Sequence, residues 1–330
     1  MLIDPFERTI DYLRISVTDR CNLRCAYCMP AGLIQWLPQA KILSNAEILQ
    51  IVAAAAGLGI RKIRLTGGEP LTRPNLVELV RGIKEFPGIQ DISLTTNAML
   101  LERYAQPLAE AGLRRVNISL DSLDPLKFRR ITHYGDLERV WNGLLAAEKV
   151  GLTPIKINAV VVRGVNEDEI LDFARLTLEH AWQVRFIELM PIGNSGDWGA
   201  GFPPEPERYF SVQEMMEILS SLNLEAVPSP TGSGPARMYR IPGAAGSLGV
   251  ISPLGEHFCA TCNRIRLTAD GKLRPCLLSD AEVSLQEALY GERDLQHLIK
   301  RAVFQKPAGH TLTQQQTAAP QDRLMWQIGG

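Results

Sequence analysis

The sequence has almost no net charge and no long hydrophobic run. Its 35 lysine and arginine residues against 36 aspartate and glutamate residues leave a formal charge of −1 over 330 residues. No overall positive field therefore attracts nucleic acid or an anionic membrane, and we expect neither as a partner. The most apolar stretch, residues 51–59, is too short to cross a bilayer. The first residues lack a basic stretch followed by an apolar one, so we expect no signal peptide and a cytoplasmic location.

Cysteine is scarce, and its six residues fall into two groups of three. In a reducing cytoplasm such thiols bind metals more often than they form disulfides. The first group, Cys21, Cys25 and Cys28, is too closely spaced for one face of a helix or strand, but a loop curled around an inorganic centre accommodates it. Three cysteine ligands on a cubane iron–sulfur cluster would leave one iron open, so this loop could support chemistry as well as hold the fold.

Strand and helix patterns alternate over the first two thirds of the sequence. Apolar, β-branched segments predict six strands at residues 12–17, 62–66, 91–96, 115–120, 155–162 and 183–190. This alternation predicts an α/β fold with a parallel sheet, and six units make a partial (β/α)6 barrel of the TIM type. The ligand site of such a sheet lies beyond the carboxyl ends of the strands, where the cysteine loop falls. We expect this domain to span residues 1–192, and a C-terminal domain with the second cysteine group to span 193–330.

The second cysteine group admits two interpretations. It consists of Cys259, Cys262 and Cys276. With a fourth ligand such as the nearby His257, it could form a structural zinc site. The strand pattern that follows places Arg264 and Arg266 on one face, and two guanidinium groups beside a metal centre are costly unless an anion binds there. Arginine is suited to bidentate phosphate contact, so the pattern favours a phosphate-binding metal centre, with a solvent-exposed arginine pair as the simpler alternative.

The cysteine loop resembles the signature of the radical S-adenosylmethionine (SAM) superfamily. In that superfamily the open iron of a 4Fe-4S cluster chelates SAM, and reduction cleaves SAM to a 5′-deoxyadenosyl radical. Gly-Gly-Glu-Pro at residues 67–70 resembles the motif that receives the SAM amino group, although on its own it would be an ordinary turn. The resemblance implies SAM contacts from Tyr27, Gly68, Ser119 and Met190.

Over its whole length the sequence also resembles the family of GTP 3′,8-cyclases. The resemblance is most specific where the first cysteine loop is combined with the second cysteine group and its arginines. It implies that Cys259, Cys262 and Cys276 hold a second 4Fe-4S cluster. The terminal Gly329 and Gly330 are implied to reach into the active site. The implied GTP contacts are Arg14, Arg64, Thr95, Lys156, Arg264, Ile265 and Arg266.

This family resemblance implies radical cyclisation of GTP to (8S)-3′,8-cyclo-7,8-dihydroguanosine 5′-triphosphate, the first step of molybdenum-cofactor biosynthesis. It also implies a homodimer, an electron donor and a downstream cyclic pyranopterin monophosphate synthase as partners. Ala98 stands where the family has glycine. This difference affects the local backbone conformation and not the chemistry of the site. Two alternatives stay open: a radical SAM enzyme that modifies peptides or proteins, and a non-catalytic metal-binding protein.

Overall fold

The computed structural model describes residues 1–29, 34–192, 196, 198–205, 207–229, 234–291, 294–310 and 323–329. In these residues twelve strands form one sheet. The strands are β1 (Tyr12–Ser16), β2 (Lys62–Thr66), β3 (Asp91–Thr96), β4 (Arg115–Ser119), β5 (Lys156–Val161), β6 (Gln183–Glu188), β7 (Glu225–Val227), β8 (Arg237–Arg240), β9 (Ser247–Ile251), β10 (Arg264–Leu267), β11 (Lys272–Arg274) and β12 (Val283–Ser284).

Most helices connect strands and pack against the apolar face of the sheet, whereas the last one lies near the C-terminus. They are α1 (Asn45–Gly57), α2 (Leu76–Lys84), α3 (Leu101–Ala111), α4 (Pro125–Thr132), α5 (Leu137–Lys149), α6 (Ile170–Glu179), α7 (Val212–Leu219), α8 (Gln286–Leu289), α9 (Leu295–Phe304) and α10 (Met325–Ile328). Helix α1 begins with a capping box in which Ser44 and Glu47 each bond the other's backbone N–H, and Ser211 and Glu214 repeat it at α7. Every helix in the described residues is too short or too polar to cross a membrane.

The sheet is parallel at its centre and antiparallel at both edges. Its order is β12-β11-β10-β1-β2-β3-β4-β5-β6-β9-β8-β7, and the eight strands from β10 to β9 run parallel. In the described part of the chain the sheet does not close on itself, because β12 and β7 lie at opposite edges. The predicted α/β fold with an open, partial barrel is confirmed.

Strands from the second half of the chain extend both edges of this sheet. Strand β9 pairs with β6, while β10 pairs in parallel with β1, so two further parallel strands join the predicted six. The β1–β10 register aligns Tyr12 with Arg264 and Arg14 with Arg266. The second half of the chain therefore brings its arginines directly beside the first strand. The expected domain boundary after residue 192 stays a prediction.

The two faces of the parallel strands differ in chemistry. Every second residue along these strands is buried against the helices. Examples are Leu13, Ile63 and Val184. The intervening positions carry charged and polar side chains on the other face. Since successive strand residues point to opposite faces, an apolar core lies on one side and a polar surface on the other.

Candidate active site

A cavity of about 600 Å³ lies against the polar face of the sheet. Its lining extends from the first residues of the strands, such as Tyr12 and Arg115, to their carboxyl ends, such as Thr66 and Ser119. The first cysteine loop and the C-terminal helix α10 also contribute to the lining. Of the residues predicted to contact ligands, those that line the cavity are Arg14, Cys21, Cys25, Tyr27, Cys28, Arg64, Gly68, Thr95, Ser119, Lys156, Met190, Arg264 and Arg266.

Arginine and lysine side chains are concentrated on this face. Those that line the cavity are Arg14, Lys62, Arg64, Arg115, Lys156, Arg185, Arg264 and Arg266. The Nε atoms of Arg14, Arg64 and Arg185 are buried without a hydrogen-bond partner among the described residues. Native proteins rarely leave buried donors unpaired, so these guanidinium groups are arranged for an anion with many oxygen atoms. A triphosphate has that chemistry.

The electrostatics of the cavity agree with this interpretation. Burial and the neighbouring Arg64 and Arg266 hold the pKa of Arg14 well below its usual value. Burial, Arg185 and Arg115 lower the pKa of Lys156 to about 6. Like charges crowded together in a low-dielectric site disfavour their own ionisation, and an anion among them would reverse the effect.

Arg115 and Arg185 belong to the cation cluster but were missing from the predicted contacts. The carboxylate of Asp91 pairs with Arg115, and its Oδ1 accepts a hydrogen bond of 3.1 Å from Nε of Arg115. Gln183 accepts a bond of 3.1 Å from Arg185. Both arginines stand near the starts of their strands, away from the carboxyl ends on which the sequence prediction concentrated. Their alternation with apolar neighbours is the signal that could have identified them.

The first cysteine loop is held to the rest of the fold by backbone hydrogen bonds. The N–H of Arg24 donates to the carbonyl of Thr132 at 3.0 Å, and that of Ala26 to Ile131 at 2.9 Å. Burial raises the pKa of Cys21 to about 12 and that of Cys25 well above the usual range. Buried thiols of this kind are poor nucleophiles, and bound metal is what stabilises them as thiolates. The loop fits a metal-binding role.

Tyr27 occupies a defined position at the edge of this loop. Its hydroxyl donates a hydrogen bond of 2.8 Å to Oδ2 of Asp121, whose other oxygen accepts from the N–H of Val160 at 2.9 Å. The Trp198 ring lies 6.4 Å from the Tyr27 ring. Burial raises the pKa of Asp121 to about 6, although the two hydrogen bonds oppose this. The sequence prediction omitted Asp121 and Trp198, because neither lies in a recognisable motif.

Gly68 is required by the packing of the protein itself. A methyl group at this position would collide with the carbonyl oxygen of Arg20 and would lie 2.7 Å from that of Asp19. The neighbouring Glu69 accepts hydrogen bonds of 2.7 Å from both the Thr96 hydroxyl and the Asn97 N–H. The Gly-Gly-Glu-Pro segment thus holds the cysteine loop against the ends of β2 and β3. A role in binding SAM remains a prediction.

The second cysteine group lies beside the opposite end of the cavity, next to lining residues Phe258 and Arg264. The guanidinium carbon of Arg264 lies 4.9 Å from the centre of the Phe258 ring. Burial would raise the pKa of Cys262, but Arg264 and Lys306 lower it to about 6. This thiol therefore forms a thiolate readily, which suits a metal ligand.

The arrangement of ligand atoms distinguishes the two interpretations of this group. The ligand atoms of His257, Cys259 and His310 lie within 4.8 Å of one another, and His257 Nδ1 is 3.1 Å from His310 Nε2. Within the described residues neither Cys262 nor Cys276 belongs to such a set. A single zinc ion needs all its ligand atoms close together, since Zn–S is about 2.3 Å and Zn–N about 2.1 Å. Because Cys262 and Cys276 lie outside this compact set, the three thiols and His257 do not form the single four-ligand site that the zinc alternative requires.

The C-terminal residues reach the cavity between the two cysteine groups. Nη1 of Arg266 donates a hydrogen bond to the carbonyl of Gly329. Burial raises the pKa of Cys28, and the nearby backbone N–H of Trp326 opposes this effect. The Trp326 ring packs edge-on against Trp36 with 5.2 Å between centres. Gly330 lies outside the described residues. The tail thus contacts both the first cysteine loop and an arginine of β10.

Two further predicted positions have specific environments. The Ile265 side chain is buried in the apolar core, on the opposite face of β10 from its arginine neighbours, so only its backbone is available to a ligand. Ala98 has a φ of 61° and a buried side chain. The backbone at Ala98 therefore has the left-handed conformation that glycine favours.

Comparisons with known proteins agree with these features. Residues 15–177 match the Radical SAM superfamily, and residues 182–312 match the family described as Molybdenum Cofactor Synthesis C. The chain is 48% identical to the GTP 3′,8-cyclase of Pelotomaculum thermopropionicum, over 99% of each sequence. It is 48% identical to that of Moorella thermoacetica, over 99% of each sequence, and 46% identical to that of Listeria monocytogenes, over 100% of this chain and 99% of the relative.

Solved structures share the fold at low sequence identity. The structure of Streptococcus suis SuiB bound to S-adenosylmethionine superposes with a TM-score of 0.64 at 15% identity, covering 88% of this chain and 66% of SuiB. The structure of anSMEcpe with bound AdoMet gives a TM-score of 0.60 at 15% identity, covering 90% of this chain and 81% of that chain. At this identity the similarity establishes the fold alone.

Proposed function

The chain belongs to the GTP 3′,8-cyclase family of the radical SAM superfamily, and we propose that its cavity binds GTP between two 4Fe-4S clusters. The protein is an enzyme that converts GTP to (8S)-3′,8-cyclo-7,8-dihydroguanosine 5′-triphosphate in the first step of molybdenum-cofactor biosynthesis. The observation that carries our assignment of residues is the cation cluster with a cysteine group at each end.

Cys21, Cys25 and Cys28 would hold the first cluster, and SAM would bind beside it. When bound, this cluster and SAM supply the carbon-centred radical that starts the reaction. Tyr27 would contact the adenine, and its bond to Asp121 keeps the ring in one orientation. The other SAM contacts we propose are Gly68, Ser119 and Met190, which line the same end of the cavity.

The cations at the centre of the cavity would bind the triphosphate. Arg14 and Arg266 lie opposite each other in neighbouring strands, as Arg14 and Arg64 do, so one phosphate chain can contact all three. Lys156 would add its charge once the phosphates are present. We add Arg115 and Arg185 to the predicted contacts because they belong to the same cluster of charges. Thr95, Ile265 and Arg264 complete the proposed GTP contacts, Ile265 through its backbone.

Cys259, Cys262 and Cys276 would hold the second cluster at the other end of the cavity. A substrate held there by its base, with its phosphates on the cation cluster, would have its ribose held facing SAM at the first cluster. The C-terminal tail, with Gly329 and the proposed Gly330, would close the site against water. Orientation and exclusion of water matter greatly here, because a radical must meet its target before any other molecule.

The partners that we propose follow from the family. They are an electron donor, a downstream cyclic pyranopterin monophosphate synthase that takes the product, and a second copy of the chain in a homodimer. The six cysteines carry no disulfide, which suits a reducing compartment such as the cytoplasm.

Product analysis with different nucleotides tests the assignment. The protein is reconstituted anaerobically with iron and sulfide and incubated with SAM, a reductant and each nucleoside triphosphate in turn. We expect 5′-deoxyadenosine and a cyclised nucleotide in equal amounts with GTP, and neither with ATP, CTP or UTP. Equal SAM cleavage with all four nucleotides would contradict the assignment. Two zinc ions per chain and no labile sulfide would instead support a non-catalytic metal-binding protein.

A further inference from the structure

Lys306 is a buried lysine that lies just after helix α9. Its side chain is only 4% exposed, and its Nζ donates hydrogen bonds of 2.8 Å to the carbonyls of Arg264 and Pro275. Arg264 follows Cys262 by two residues, and Pro275 directly precedes Cys276. One ammonium group therefore joins the two chain segments that present these cysteines.

A second buried cation, Arg8, holds the remaining cysteine of this group. Its Nη1 donates to the carbonyl of Cys259 at 2.8 Å, and its Nη2 donates to that of Pro307 at 2.6 Å. Arg8 also pairs with the carboxylate of Asp4, with 2.6 Å between Nε and Oδ2. The charge of Arg8 is thus balanced within the protein. It serves as a cross-link between the cysteine segment and the chain around Lys306.

Lys306 differs from Arg8 in its charge balance. Both hydrogen-bond acceptors of its ammonium group are neutral carbonyls, and no carboxylate among the described residues forms an ion pair with it. Its ammonium group is hydrogen-bonded two residues after Cys262 and one residue before Cys276, so its charge lies beside both of these segments. Burial of a charged group is unfavourable unless an opposite charge lies nearby, so a neighbouring anion would stabilise this ammonium group. Three thiolates on an iron–sulfur cluster would supply that negative charge.

We propose that Lys306 is a positioning residue that fixes Cys262 and Cys276 around the second cluster and raises the reduction potential of that cluster. The inference rests on the proposed assignment of Cys259, Cys262 and Cys276 as its ligands. Reduction adds negative charge to a cluster, so a nearby buried cation stabilises the reduced form. The reduction potential of the second cluster during the cyclase reaction would then depend on this lysine.

Potentiometry of the second cluster alone tests this role. In the full-length chain the first-cluster ligands are replaced by alanine (C21A, C25A and C28A), so that the remaining paramagnetic signal belongs to the second cluster. Lys306→Met removes the charge at similar length, and Lys306→Arg keeps it. Lys300→Met, an exposed change on α9, is the matched control. Iron and sulfide contents are measured together with a redox titration followed by electron paramagnetic resonance.

We expect Lys306→Met to shift the midpoint potential to a more negative value, or to lose second-cluster iron that Lys306→Arg retains. Lys300→Met should match the parent protein in both measurements. An unchanged potential with full iron content in Lys306→Met would overturn the inference, as would equal loss of the cluster in Lys306→Met and Lys306→Arg. If the parent protein itself holds no cluster, the assignment of the three cysteines fails and this inference fails with it.

Discussion

The guanidinium of Arg266 is bonded to the backbone carbonyl of Gly329, so the C-terminal tail is attached to the strand that carries three of the proposed GTP contacts. Arg266 is buried, and burial together with Arg264 lowers its pKa to about 9. One side chain thus connects the tail, the cation cluster and the strand next to the second cysteine group. The position of the tail and the binding of GTP should therefore depend on each other.

Replacing Arg266 tests this dependence. Arg266→Met removes a charged hydrogen-bond donor, which is worth about 1.5 to 3 kcal/mol, so we expect the dissociation constant of GTP to rise by about 10- to 100-fold. Arg266→Lys should lose less, because it keeps the charge but not the forked geometry. Equilibrium dialysis with GTP measures both, and the exposed Arg240→Met is the control. Wild-type affinity in Arg266→Met would show that the phosphates bind elsewhere.

The lowered pKa of Lys156 leads us to expect that the protein takes up a proton when GTP binds. Its pKa is about 6 in the free protein because of burial, Arg185 and Arg115, so at pH 7.5 it is mostly neutral. Phosphate oxygens beside it favour the charged form and raise its pKa. Between the free and bound pKa values, binding takes up a proton and GTP affinity falls as pH rises, by at most about tenfold per pH unit.

Calorimetry in buffers with different ionisation enthalpies measures this uptake. GTP itself also exchanges protons, since the terminal phosphate has a pKa of about 6, so the comparison with Lys156→Met isolates the lysine. We expect the wild-type protein to take up nearly one proton more than Lys156→Met at pH 7.5. Equal proton uptake in the two proteins would show that Lys156 does not face the phosphates.

The fold was predictable because hydrophobic alternation specifies each parallel strand locally. The predicted strand at residues 62–66 coincides with β2, whereas the strand predicted at 183–190 ends two residues earlier, at Glu188. The pairing of β10 with β1 was not predictable, since it joins segments about 250 residues apart and no local pattern encodes it. Asp121 was missed for the same reason, because its importance depends on the Tyr27 hydroxyl that the fold brings beside it.

Gly68 gives a prediction about the first cysteine loop. Gly68→Ala would force its methyl group into the carbonyls of Asp19 and Arg20, and overpacking of this kind costs about 1 to 3 kcal/mol. We expect a lower free energy of unfolding and reconstitution with about half the iron, because the loop proposed to hold the first cluster would be displaced. Gly88→Ala is the matched control, since its methyl group would make only ordinary contacts, the nearest at 3.6 Å. Full iron content and unchanged stability in Gly68→Ala would contradict the packing role.

Cys276 separates the roles of the two cysteine groups. Cys276→Ala removes one thiol of the second group and leaves the first loop untouched, so we expect SAM cleavage to continue while cyclisation of GTP falls by at least about 100-fold, the effect of a lost orientation of the substrate. Cys28→Ala is the counterpart and should abolish both, because we propose that SAM binds at the first loop. Chromatography quantifies 5′-deoxyadenosine and cyclised nucleotide in the same samples. If Cys276→Ala still cyclised GTP at the wild-type rate, the second group would have a structural role, and the cation cluster alone would have to orient the substrate.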